Sequence, residues 1–278
     1  MYRNSLRALF VPVLLLMGLR TLLKVLAIDT VTGFYNGAPL PGALFTGIFL
    51  LSAALIVWYT LREPDTGMSA LRGNRSLEIA GAMLGLVLIA VSAVRLYALL
   101  TSPSGEEVNV LPRGLRDLEH LLGIGSGGVL LWLAASSVSG AERSEKNGCA
   151  ALIIVLWQAL FLIDRFISFR QAATVSDQLL ETLFLLSALL FWLAHSRCMA
   201  DCQPSRRRVM LFGMLAILLG IPLAFAQAAA LAILGEVSGP GAGDIALISL
   251  SCVYFAAFLD AARRSPSVQA DAKSETEE

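Results

Sequence analysis

The sequence is short of charged residues, and that shortage indicates its class. Only 15% of the residues are Asp, Glu, Lys or Arg, whereas 56% are hydrophobic and the mean hydropathy is +0.72. A soluble domain has too much polar surface to cover to carry such a composition. The net charge is zero at pH 7, so no basic surface indicates nucleic acid as a partner. We therefore expect a lipid bilayer around the chain and no nucleic acid.

Residues that often carry chemistry are scarce as well. There are two histidines and four cysteines, and the cysteines show no spacing typical of a disulfide framework. Cys198 and Cys202 lie one helical turn apart, which suits either a metal or redox pair or, as we favour, small apolar filling. The sequence contains no phosphate-cradling loop, no His/Cys ligand set and no carboxylate pair spaced for catalysis. We expect no catalytic residue, no metal site and no cofactor.

Long apolar runs separated by polar loops fill most of the chain. A membrane span needs about 20 apolar residues, and the runs predict an all-α, polytopic transmembrane helical bundle over residues 1–262. The predicted helices cover about 6–28, 42–61, 77–100, 117–138, 149–169, 177–198, 209–234 and 244–262. The remaining Ser/Glu-rich segment, 263–278, is predicted to be a disordered cytoplasmic tail.

The basic residues predict an orientation. Fourteen of the 21 Lys and Arg residues lie in the N-terminal segment, loops 62–76, 139–148 and 197–208, and the tail. The four loops on the opposite side contain few. Cytoplasmic loops carry an excess of Lys and Arg, and eight spans return the chain to its starting side. Both termini are therefore predicted to be cytoplasmic.

Two halves of the chain resemble each other. The segments Phe49-Leu-Leu-Ser-Ala53 and Phe184-Leu-Leu-Ser-Ala188 match at an offset of 135 residues, which also aligns Leu84-Gly85 with Leu219-Gly220. Two explanations stay open. One is a duplication that produced two four-helix halves, related as a parallel repeat. The other is a chance match in leucine-rich sequence.

Ionisable residues inside the predicted helices concentrate in the outward-facing half of each helix. A charged side chain in lipid costs about 2.5 kcal/mol or more unless it is paired or hydrated, so such residues mark candidate sites. The predicted polar, ligand-binding cluster contains Arg20, Lys24, Arg95, Glu119, His120, Asp164, Arg165, Asp177 and Glu181.

This cluster has two interpretations. In the first, an outward-facing polar cavity binds or translocates a small solute or ion. In the second, the charges are ion pairs that fix helix packing in a non-catalytic scaffold, sensor or complex subunit, with a membrane-protein partner or a homo-oligomer. The balance of signs favours ion pairs, and an intramembrane enzyme is the least favoured class. A ligand-sized cavity open to the outside would support the first interpretation, and closed pairs would support the second.

Three further features concern packing. The spacings Gly81-x-x-x-Gly85 and Gly123-x-x-x-Gly127 predict close helix–helix approach. Pro222 lacks a backbone N–H and predicts a kink in the seventh helix. His195 is predicted to be an interfacial residue at the cytoplasmic end of the sixth helix.

Two connections carry a resemblance. The stretches Asp29-x-x-Thr-Gly-Phe-Tyr-x-Gly37 and Ser176-Asp177-x-x-Leu-Glu-x-Leu-Phe184 resemble multi-pass, eight-helix membrane proteins of Gram-positive anaerobic bacteria. The resemblance implies the fold and a bacterial cell (plasma) membrane as the location. It implies no activity.

Overall fold

The computed structural model describes residues 2–26, 40–62, 74–101, 112–138, 145–169, 176–200, 206–235 and 240–264. These residues form eight α-helices and no strand. The helices are α1 (Tyr2–Leu26), α2 (Leu40–Arg62), α3 (Arg75–Thr101), α4 (Arg113–Val138), α5 (Glu145–Phe169), α6 (Ser176–Met199), α7 (Arg206–Leu234) and α8 (Ala242–Arg264). Each contains a segment long and apolar enough to cross a membrane. The predicted all-α, polytopic bundle is confirmed.

Several helices extend beyond the apolar runs that predicted them. For example, α4 begins at Arg113 and α5 at Glu145, each about one turn before the predicted start. A helix can continue past the apolar layer because long charged side chains reach into the polar headgroup region. The apolar run therefore measures the membrane-embedded length rather than the whole helix.

Helices α3 to α8 form a closed ring. Each packs on the next along the chain, and α8 returns to pack on α3. Helix α1 packs on α2 and α7, and α2 also contacts α7, so this pair lies outside the ring. The packing of the described residues thus joins the two sequence halves, through α1 and α2 with α7, α3 with α8 and α4 with α5. The internal duplication stays a prediction.

Helix α7 is the most enclosed element of the bundle. In the most apolar 18-residue segment of α7, 72% of the residues are buried inside the protein, whereas the corresponding share in α2 is 22%. Small residues such as Gly213 and Gly220 allow this, because a Cβ at either position would press on side chains of neighbouring helices. The helix runs without interruption through Pro222 to Leu234. Its position explains how it contacts α1, α2, α6 and α8 at once.

Helices α3 and α4 approach each other at backbone distance. A Cβ on Gly85 would lie 2.8 Å from the carbonyl oxygen of Gly127, and one on Gly127 would lie 2.6 Å from that of Gly85. Both distances are shorter than any side-chain contact tolerates, so the two backbones touch because neither residue has a side chain. The predicted glycine packing is confirmed.

Two arginines at the start of α7 hold the ends of other helices. Arg206 donates a hydrogen bond of 2.7 Å to the carbonyl oxygen of Arg263 in α8, and Arg207 donates one of 3.0 Å to that of Thr60 in α2. Carbonyl groups in the last turn of a helix have no intrahelical partner. The basic segment, which the sequence marked as an orientation signal, therefore also caps two helices.

Candidate functional site

The best-defined polar site lies where α3 and α5 end and α4, α6 and α8 begin, which we term the charged end. Its centre is Asp244, the third residue of α8, whose side chain is 5% exposed. Arg95 of α3 donates to Oδ1 and Arg165 of α5 to Oδ2, each at 2.5 Å. The backbone N–H of Gly241, directly before α8, also donates to Oδ2 at 3.3 Å. One carboxylate thus binds two guanidinium groups and caps its own helix.

A second carboxylate extends this arrangement to α6. The Nε atom of Arg165 lies 3.6 Å from Oε1 of Glu181, which is also buried. We term Arg95, Arg165, Glu181 and Asp244 the charged quartet. It carries two positive and two negative charges from four helices. Helices α5 and α8 are not neighbours in the ring, so Arg165 reaches across the ring interior.

An aromatic ring supports both arginines. The Cζ atoms of Arg165 and Arg95 lie 5.2 and 6.0 Å from the ring centre of Phe161. Trp157, one turn earlier on α5, stacks on Phe161 with a ring separation of 5.7 Å. Arginine over an aromatic face is favourable, more so when water is excluded. Each arginine of the quartet is therefore paired with a carboxylate, and the ring of Phe161 lies within cation–π distance of both guanidinium groups.

A small cavity lies beside the quartet. It borders Glu181 and Asp244, and its volume is about 10 Å³ for the centre of a water-sized sphere. That is room for about one water molecule, whereas ligand sites commonly measure about 300–1,000 Å³. The rest of its wall is Trp157, Gln158, Phe161, Phe184, Leu185, Leu247, Ile248 and Ser251. This cavity does not have the size that a solute site requires.

The structure brings together only part of the predicted cluster. Arg95, Arg165 and Glu181 belong to the quartet, and Glu119, His120 and Asp164 lie beside it at the charged end. Arg20 and Lys24 are also buried, but they lie on α1, which packs on α2 and α7 outside the ring. The Cζ atom of Arg20 lies 5.3 Å from the ring centre of Phe45 on α2. The side chain of Asp177 lies outside the described residues.

Glu119 differs from the other buried acids at the charged end. It is 3% exposed, and its Oε1 atom lies 3.8 Å from Nδ1 of His120, beyond hydrogen-bonding distance. Its Oε2 atom has no hydrogen-bond partner among the described residues. Arg95, Asp164, Arg165 and Asp244 are among the charged groups near it. Glu119 is therefore close to the quartet but takes no part in its hydrogen bonds.

Sequence reasoning missed Asp244, the centre of the site. An acidic residue in the first turn of a helix is common, because it interacts favourably with the helix dipole, and Asp244 was assigned only as the start of the eighth helix. The position of Asp244 along the bundle axis was the signal that the sequence offered. It lies at the same end of the bundle as Arg95 and Arg165, the residues that need a counter-charge.

The interfacial position predicted for His195 is wrong. The residue is completely buried, and its Nε2 atom is hydrogen-bonded to the hydroxyl of Tyr254 on α8 at 2.8 Å. Phe191, Trp192 and Phe258 surround the imidazole, with ring separations of 4.8 to 6.0 Å. Because α8 closes the ring, the last turns of α6 are covered by aromatic side chains rather than exposed at the membrane surface.

Within the described part of the chain, no group of three or more His, Cys, Asp and Glu residues is placed to hold a metal ion. Cys198 is buried, and Cys202 lies outside the described residues. No family model, curated protein or solved structure matches the chain. Any assignment of function therefore rests on the geometry of the charged end.

Proposed function

We propose that the chain is a non-catalytic, multi-pass module of the bacterial cell membrane: a scaffold, sensor or subunit of a larger membrane complex. Both termini are on the cytoplasmic side in this proposal. The observation that carries it is the closed charged quartet, in which Asp244 accepts hydrogen bonds from both arginines. The intramembrane charges act as ties between helices rather than as a binding surface.

The partners within the quartet leave little capacity for a solute. Asp244 accepts three hydrogen bonds, and Arg165 contacts both carboxylates. A solute would have to break at least one of these ion pairs, and breaking a buried pair costs about 3–5 kcal/mol. The neighbouring cavity has room for about one water molecule. Solute translocation through this cluster thus has less support than a structural role.

The outer surface suits a lipid bilayer. Large apolar side chains are exposed along α2, including Leu50, Leu51 and Leu55, and Trp58 and Tyr59 follow near its end. Trp and Tyr are enriched where membrane spans meet the headgroups. A partner protein or a second copy of the chain would have to bind this kind of surface within the bilayer.

A charge-removal series tests the proposal. The quadruple variant Arg95→Met, Arg165→Met, Glu181→Gln and Asp244→Asn removes every charge of the quartet together, so no charge is left without its counter-charge. We expect this variant to fold and to retain the growth phenotype and co-purifying partners of the wild type. Asp244→Asn alone, which leaves two partly buried arginines without their shared carboxylate, is expected to be less stable than the quadruple variant.

The opposite result has a clear form. If the quadruple variant folds with a normal melting temperature but loses the phenotype, the charges themselves bind something, and the scaffold proposal is wrong. A melting temperature that rises with a particular solute in the wild type and not in the quadruple variant would support the same conclusion. The Asp260→Asn variant, at the other end of α8, controls for loss of a carboxylate alone.

A further inference from the structure

Arginines from three helices meet at the end of the bundle opposite the charged end, and we term this set the arginine end. Arg206 of α7 donates to the carbonyl oxygen of Arg263, and Arg207 to that of Thr60, so α7 joins the ends of α2 and α8. Asp260 forms ion pairs with Arg263 and Arg264. The α8 side of the arginine end therefore has a counter-charge on its own helix. The full set is Arg62, Arg206, Arg207, Arg208, Arg263 and Arg264.

On the α2 side, an exposed stripe of the helix leads to Arg62. Its members share one helix face, because they recur every three or four residues. They are Leu51, Leu55, Trp58 and Arg62, and all four are exposed. The Cζ atom of Arg62 lies 4.1 Å from the ring centre of Trp58. A guanidinium group at this distance is attracted to the aromatic ring, so the indole holds it at the end of the apolar stripe.

The stripe is about as long as one leaflet of a bilayer is thick. Leu51 and Arg62 are eleven residues apart, which is about 16 Å of helix, and half of the hydrocarbon core is about 15 Å. Trp58 lies near the end of the span, where Trp is enriched in membrane proteins. Helix α2 is also the least enclosed span. The stripe thus offers an acyl chain a surface to lie on, with Arg62 at the level of the headgroups.

Arg207 brings a second guanidinium group to the same helix end. It donates to the carbonyl oxygen of Thr60, two residues before Arg62. A carbonyl group carries no net charge, so this bond does not neutralise Arg207. Arginine binds phosphate oxygens through strong, charge-assisted hydrogen bonds. Glu63 and Asp65, which follow in sequence, lie outside the described residues. The described part of the chain thus places arginines of two helices beside one end of the stripe.

We propose that the arginine end and the stripe of α2 together bind one anionic glycerophospholipid. Its phosphate group lies against Arg62 and Arg207, and one acyl chain lies along Leu55 and Leu51. Basic clusters beside a membrane span attract anionic headgroups. Phosphatidylcholine has the same phosphate but adds a positive choline group, so the site favours a lipid of net negative charge. Because α2 and α7 both contribute, the bound lipid ties the outer helices α1 and α2 to the ring.

The first experiment compares two lipids that differ in headgroup charge. The full-length protein is purified in a neutral detergent and mixed with equal amounts of phosphatidylglycerol and phosphatidylcholine that have the same acyl chains. Native mass spectrometry then counts the lipids that stay bound. We expect one molecule of phosphatidylglycerol to bind in preference to phosphatidylcholine, because only the first has a net charge for the arginines to neutralise.

Arg62→Gln is the decisive variant, and Arg264→Gln is its matched control. Arg62 is exposed, so its replacement leaves the packing of the bundle intact. We expect the concentration of phosphatidylglycerol at half-saturation to rise about fivefold, as for loss of one basic residue at the membrane surface, and that of phosphatidylcholine to stay constant. Arg264 lies at the same end, and its side chain is 70% exposed and paired with Asp260. Arg264→Gln should bind both lipids as the wild type does.

A second measurement separates a lipid from a soluble anion. Because a ligand that binds only the folded state stabilises it, phosphatidylglycerol should raise the melting temperature of the wild type in a saturable way. Inorganic phosphate at the same concentration should not, since it has no acyl chain to lie on the stripe. Leu55→Asn places a polar group within the stripe and should weaken the response to phosphatidylglycerol.

Four outcomes would overturn the proposal. The first is equal binding of the two lipids by the wild type, and the second is an unchanged lipid preference in Arg62→Gln. The third is an equal loss in Arg62→Gln and Arg264→Gln, which would show that only the total charge of this end matters. The fourth is stabilisation by inorganic phosphate as large as that by phosphatidylglycerol, which would identify a site for a soluble anion.

Discussion

Arg165 and Asp244 form a 2.5 Å ion pair across the interior of the helix ring, although their helices are not neighbours in that ring. The two residues are separated by 79 positions in sequence. Through Arg95 and Glu181 the same pair also reaches α3 and α6. The charged quartet therefore connects four of the six ring helices at one end of the bundle.

Removing the central carboxylate should destabilise the protein strongly. Asp244→Ala leaves two largely buried arginines without their shared acceptor, and loss of one partner of a buried ion pair costs about 3–5 kcal/mol. We expect the lower unfolding free energy to appear in chemical denaturation of the protein in detergent micelles. Asp260→Ala on the same helix is the control, because its partially exposed pairs with Arg263 and Arg264 contribute about 1 kcal/mol or less. Equal losses for the two variants would contradict a structural quartet.

The glycine contact between α3 and α4 predicts a strongly position-dependent effect. Gly127→Ala places a Cβ against the backbone of Gly85, so we expect a loss of about 1–3 kcal/mol in unfolding free energy. Gly128→Ala is the neighbouring control. A Cβ at Gly128 meets nothing within 4 Å among the described residues, and alanine favours a helix over glycine by about 1 kcal/mol. The control should be neutral or stabilising, and the reverse order would show that the two helices do not touch here.

The cap formed by Arg207 predicts a local effect on α2. The Nε atom of Arg207 donates a hydrogen bond to the carbonyl oxygen of Thr60, and its Nη2 atom donates one to the carbonyl oxygen of Leu61. We expect Arg207→Ala to cost about 1–3 kcal/mol, as for other hydrogen bonds from charged groups, and to speed hydrogen exchange in the last turn of α2. Arg206→Ala should instead affect the end of α8, where that residue donates. Identical exchange patterns in the two variants would argue against separate caps.

The predicted orientation can be tested by thiol labelling. Cys149 is exposed near the start of α5, on the side predicted to be cytoplasmic. In a Cys202→Ser background, a membrane-impermeant maleimide should label Cys149 only after the cells are permeabilised. Leu115→Cys, at an exposed position near the start of α4, should be labelled in intact cells once Cys149 is also replaced by Ser. Labelling in the opposite order would reverse the predicted topology.

The sequence predicted those features that depend on local composition. Run lengths gave the eight spans, and four-residue glycine spacings gave the α3–α4 contact, because both follow from helix geometry alone. The quartet could not be predicted in full, because it depends on α8 packing against α3. That contact places Asp244 beside Arg95, 149 positions earlier. The same ring closure buries His195 and leaves Arg20 and Lys24 on a separate face, which neither spacing nor hydropathy reveals.

Closure of the ring by α8 also imposes an order on biogenesis. Arg95 is synthesised 149 residues before its acceptor Asp244, a delay of roughly 7 to 30 s at ribosomal rates of about 5–20 residues per second. During that interval Arg95 and Arg165 must be accommodated near the membrane surface or by the insertion machinery. Helix α8 therefore delivers the counter-charge for both arginines, and the bundle described here reaches its stable form only when α8 has been inserted.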